Sequence, residues 1–141
     1  MNLGNATIES HQFIDQTTGL DTSGTAEFTF EIMGAGVPFK VSLVWSDFPS
    51  TEAAAVNLVN DLDLEVLSPP RTAYMGNMFN GGWSQSGGSP DRVNNVENVY
   101  VQTAEAGIGT VRVKGYNVPQ TSQPYAMVIN GNFVGSSHYL P

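Results

Sequence analysis

Oxygen-bearing side chains gather at three places in this 141-residue chain: Val44-Trp45-Ser46-Asp47, then Asn57-Leu58-Val59-Asn60-Asp61-Leu62-Asp63-Leu64, then Asp91-Arg92-Val93-Asn94-Asn95-Val96-Glu97-Asn98. If the first two segments form antiparallel neighbours, Asp47 leaves one end of a sheet where Asn60 and Asp61 enter it. Hard cations take about six to eight oxygen ligands and favour such mixtures of carboxylates and amide carbonyls. The clusters offer no nitrogen or sulfur ligand, so calcium is the natural candidate. The competing reading makes Asp61, Asp63 and Glu65 the solvated face of an amphipathic strand. Against it, two aspartates on one strand face repel each other, and aspartate is a poor strand former. Something positive must compensate, either Arg92 or a metal.

Catalytic chemistry has no comparable signal. The chain has no cysteine, which excludes disulfides, thiolate zinc sites, iron–sulfur clusters and a thiol nucleophile. Asp21-Thr22-Ser23-Gly24 has the look of an aspartic-protease motif. That chemistry needs two carboxylates sharing a proton, and with no second copy the segment reads as a turn. His11 and His138 stand near opposite ends, without a nucleophile elbow or a His-Glu-x-x-His pair. Asp61 and Asp63, two apart on a strand, have Cβ atoms about 7 Å apart on one face, a spacing that suits a cation as readily as a sugar. Trp83, between Gly81-Gly82 and Ser84-Gln85, is a sugar platform or protein contact if exposed, and a loop anchor if it packs back onto the body.

Net charge narrows the partners. Thirteen acidic residues against five basic ones give −8, which argues against a nucleic-acid binder and against an anionic membrane surface. No stretch approaches the roughly 18 apolar residues of a spanning helix. The polar sequence after Met1 has no features of a secretory signal, and it fits a fragment cut from a larger precursor.

The elements that must position these residues are strands. Thr25–Ile32 alternates, with Ala26, Phe28, Phe30 and Ile32 on one face and Thr25, Glu27, Thr29 and Glu31 on the other. Phe39–Trp45 repeats the pattern and makes Trp45 a core residue. Asp61–Val66 repeats it again. Ser10–Ile14, Thr72–Met75, Val96–Thr103, Thr110–Lys114 and Tyr125–Asn130 complete a set of about eight strands, separated by glycine- and proline-bearing turns. Glu52–Leu58 is the one place for a helical turn. Gly76–Pro90 has no usable strand pattern and reads as a long loop. The chain is expected to be a single all-β domain spanning residues 1–141, an antiparallel sandwich or barrel.

Three motifs together resemble a known family: Phe39-Lys40-Val41-Ser42-Leu43-Val44-Trp45-Ser46-Asp47, then Asn60-Asp61-Leu62-Asp63-Leu64, then Asn94-Asn95-Val96-Glu97-Asn98-Val99. The family is the C-terminal β-jelly-roll domain of extracellular subtilisin-like serine proteases, itself distantly similar to the P domain of kexin and furin. Ile108-Gly109-Thr110-Val111-Arg112-Val113 resembles a further strand of the P-domain pattern, with Val111 in the position of an aromatic residue. The resemblance runs from about Phe13 to Ile129, four fifths of the chain. It implies an antiparallel jelly-roll sandwich without catalytic activity of its own, exported in a larger precursor, packed against the subtilisin-like catalytic domain that precedes it, and able to contact that enzyme's protein substrate. It also implies calcium binding, carried over to Asp47, Asn60, Asp61, Asp63, Asp91, Asn94, Asn95 and Glu97. The alternative function is a carbohydrate-binding or matrix-binding module, with Trp83 as its surface contact.

Overall fold

The computed structural model describes residues 10–34, 37–48, 58–69, 72–120 and 122–139, with backbone alone for 135–139. The helical turn expected at Glu52–Leu58 lies, but for Leu58, outside the described residues. Among the described residues every regular element is a strand: β1 (Ser10–Leu20), β2 (Thr25–Ile32), β3 (Phe39–Val44), β4 (Asp61–Ser68), β5 (Thr72–Asn80), β6 (Trp83–Ser86), β7 (Val96–Val101), β8 (Gly107–Asn117), β9 (Gln123–Gly131) and β10 (Phe133–Tyr139).

They form two antiparallel sheets, ordered β1-β9-β3-β7 and β10-β2-β8-β4-β5-β6. The chain changes sheet at each step from β1 to β4 and from β7 to β10. Without β6 and β10 the orders reduce to β1-β9-β3-β7 and β2-β8-β4-β5, the interleaved path of a jelly roll. The eight expected segments thus all appear as strands, in a sandwich with two strands more.

Alternation explains which side of each strand is buried. Phe28, Phe30, Val41, Leu43, Leu64 and Met127 point between the sheets and are at most 2% exposed. Phe30, Phe39 and Phe133 meet at one end with ring centroids 5.0–6.1 Å apart. Trp45 is core, as its place in the alternation requires. Its indole Nε1 donates to the Asn60 carbonyl at 2.9 Å, which satisfies the one polar atom the ring would otherwise bury unpaired.

One expectation fails. Gly76–Pro90 is not a strandless loop: β5 continues to Asn80, reverses through Gly81-Gly82 and returns as β6. The two central turn residues have φ of 65° and 86°, which a tight hairpin demands and glycine supplies without strain. This hairpin lies at a sheet edge, and Met78, Phe79 and Trp83 are half-buried or exposed. No fully buried face imposes an alternation there. β10, at the other edge of this sheet, is the second strand that the sequence reading does not include.

Candidate metal centre

The entry to β4 is fixed first. Asp47 accepts from the backbone N–H of Val59 at 2.7 Å and of Asn60 at 2.8 Å. Asn60, fully buried, donates from Nδ2 to the Gln120 carbonyl and Gln123 Oε1, and accepts from the Gln120 N–H. Asn95 donates to the Trp45 carbonyl at 2.7 Å, tying the approach to β7 to the end of β3. These side chains hold the corner from which β4 departs.

Along β4 the acidic residues lie opposite the core face, yet they are buried: Asp61 is 6% exposed, Asp63 8% and Glu65 9%. The solvated-face reading is therefore wrong. Positive groups cover the row. Arg112, opposite Glu65 on β8, bridges Glu27 and Glu65 at 2.9 and 2.7 Å, and Lys114 Nζ lies 3.4 Å from Glu65. Arg92 Nη1 reaches Asp61 Oδ2 at 3.3 Å and Asp63 Oδ1 at 2.5 Å.

Glu97 comes from the other sheet. Pairing of β4 with β5 ends at Glu65 and Met75. Two residues on, Asn77 takes φ 64° and turns its side chain to the edge of β7, where it donates to the Val96 carbonyl and accepts from the Asn98 N–H. Where β5 leaves, the Leu64 N–H has no strand to bond, and Glu97 Oε1 accepts it at 2.9 Å. Gly76 makes the insertion possible, because a Cβ there would stand 2.8 Å from the Glu97 Cβ. Asn77 also donates to Asp91 Oδ2, and Asp91 further accepts from the backbone of Val93 and Asn94 and from the Asn94 side chain. That turn presents Arg92 to the aspartates.

The result is a group of three buried carboxylates, Asp61, Asp63 and Glu97, whose ligand oxygens lie within 4.8 Å of one another. Such a group could hold a metal ion. Glu97 is completely buried. Its Oε2 and Asp61 Oδ1 have no hydrogen-bond partner among the described residues. An ionised oxygen without a donor or cation is expensive to bury, and the acid strengths respond. Burial, against the opposing Leu64 N–H bond and with the charges of Asp63, Asp91 and Asp61, pushes Glu97 up to about 8. Burial and then the Asp63 charge, opposed by Arg92, raise Asp61 to about 6. Burial also raises Asp63, again against Arg92. Asp91 goes the other way, because hydrogen bonds from Asn94, Asn77 and the local backbone outweigh its desolvation. The triad thus has buried oxygens without a partner, whereas both oxygens of Asp91 are hydrogen-bonded.

Three of the eight residues read as ligands from sequence thus converge. Asp47 and Asp91 stand outside the group, with both oxygens of each engaged in hydrogen bonds. Asn60, Asn94 and Asn95 direct their side-chain amides to the bonds described above. Gly76 and Asn77, which create the opening for Glu97, carried no signal in sequence because their segment read as a loop. Trp83 is half-buried at the start of β6, and Lys40 Nζ lies 5.6 Å from its ring centroid and 5.2 Å from that of Tyr100.

No family model matches the chain. It is 36% identical over 93 residues, 64% of its length, to the Serine protease/ABC transporter B family protein tagB of Dictyostelium discoideum. It is 29% identical over 129 residues, 81% of its length, to the Serine protease/ABC transporter B family protein tagA of the same organism. The chain spans only 5% and 7% of these relatives. It is therefore similar to a short segment of much longer proteins named for a serine protease and a transporter.

Proposed function

We propose that the chain is a non-catalytic accessory module of a secreted polypeptide that contains a subtilisin-like protease, and that it binds calcium at Asp61, Asp63 and Glu97. The carrying observation is the pair of buried carboxylate oxygens left without a partner, Asp61 Oδ1 and Glu97 Oε2. A purely structural ion-pair cluster has no use for them. An all-oxygen donor set suits a hard cation, and carboxylates can bind calcium through one oxygen or two. The bound ion would supply charge neutralisation at the corner where β5 leaves β4 and Glu97 crosses from the other sheet. It would act as a clamp between sheets. The names of the relatives and the small share of them that the chain spans support the accessory role and the catalytic domain as partner.

Thermal melts of the 141-residue chain in calcium and in chelator test the ion. A ligand bound only by the native state at a hundred times its Kd adds about 2.7 kcal/mol, so calcium should raise Tm by roughly 8 °C, and Asp61→Asn should remove most of the shift. Identical melts refute calcium binding. The isolated chain should not hydrolyse casein, and hydrolysis that persists with a serine-protease inhibitor as control refutes the accessory role.

A further inference from the structure

We propose that Arg92 is a permanent member of the cation site, staying in place while an ion is bound, so that its charge weakens the binding of a trivalent ion more than that of a divalent one. The inference rests on the reading that Asp61, Asp63 and Glu97 bind a cation.

Arg92 takes only one oxygen from each aspartate, Oδ2 of Asp61 and Oδ1 of Asp63. Asp61 Oδ1 and Glu97 Oε2 stay buried and unpartnered in its presence. The guanidinium therefore leaves two buried oxygens, one on Asp61 and one on Glu97, open to an ion. Its own position has further supports. Its Cζ lies 3.4 Å from the centroid of the Tyr116 ring, a stacked cation–π contact. Its neighbour Asp91 is held by Asn77, Asn94 and two backbone N–H groups. Guanidinium is always charged. A guanidinium that stays beside a bound ion repels it, and the repulsion grows with the charge of the ion.

The test is calorimetric titration of the 141-residue chain and its Arg92→Gln and Arg92→Lys variants with calcium chloride and with terbium chloride, at constant ionic strength. The energy that a neighbouring charge contributes to a bound ion scales with the charge of that ion. Arg92→Gln should therefore strengthen terbium binding by at least about tenfold more than calcium binding, and Arg92→Lys should leave both affinities within about threefold of the parent. If the ion instead displaces Arg92, the Gln variant gains equally for both ions and the Lys variant, a weaker competitor, tightens for both. Either result overturns the assignment while leaving the cation site standing. Failure of both ions to bind any of the three proteins overturns the cation reading itself, and the role of Arg92 with it. Circular dichroism melts establish that each variant is folded, and if the Gln variant is not, the Lys variant decides alone.

Discussion

Replacing Glu97 by Gln changes one atom at the most buried point of the site and should make stability less dependent on pH. The Gln amide oxygen still accepts from the Leu64 N–H, the bond that Glu97 Oε1 makes at 2.9 Å, and the charge is gone. In the parent, burial raises Glu97 from its ordinary 4.5 to about 8. Between those values the native state holds a proton that the unfolded state has released. Stability therefore falls as pH rises through this window, and the contribution levels off above about pH 8. The full span corresponds to at most about 5 kcal/mol. At roughly 3 °C per kcal/mol for a domain of this size, the two proteins should melt together near pH 5 and separate by up to about 15 °C near pH 9, the Gln variant higher. Asp61, raised to about 6, titrates in both and does not carry the difference. The assay is a series of circular dichroism melts in chelator from pH 5 to 9. Parallel curves, or a parent that gains on the variant between pH 7 and 9, would refute the picture of Glu97 as a desolvated acid.

Gly76→Ala places a Cβ against the Glu97 carboxylate oxygen and 2.8 Å from its Cβ and should cost about 1–3 kcal/mol of unfolding free energy by urea titration; adding Glu97→Ala removes the carboxylate but not the Cβ and should recover part of the loss. Asn60→Ala breaks the bonds to Gln120 and Gln123 inside the buried corner and should lower stability by about 1–3 kcal/mol, read from the urea midpoint. Arg112→Met separates Glu27 from Glu65. Glu27 is partly exposed, but the buried Glu65 keeps only Lys114, so the cost should be about 1–3 kcal/mol by urea titration.

The sandwich was legible in sequence wherever a strand has one face in the core, because burial on one side writes a period of two into the residues. Phe28, Phe30, Val41, Leu43 and Leu64 announce their strands in this way. β10 and the β5–β6 hairpin lie at the margins of their sheet and write no such period. The hairpin turn Gly81-Gly82, with both φ positive, fell inside the segment read as a loop. At the site, residue types and spacing identified the acidic clusters and the need for a positive compensator near Asp61 and Asp63, a need that Arg92 meets for one oxygen of each. Which of the eight oxygen-bearing residues converge could not be read from spacing, because the carboxylates come from strands of different sheets. Asp61 and Asp63 lie on β4, whereas Glu97 reaches them from β7 through a gap opened by the positive φ of Asn77 and the missing side chain of Gly76. Local sequence determines which face of its own strand a residue takes. Only the packing of one sheet against the other decides that Glu97 is buried beside two aspartates, whereas Asp91 is engaged by N–H groups two and three residues further on and Asp47 by those of Val59 and Asn60.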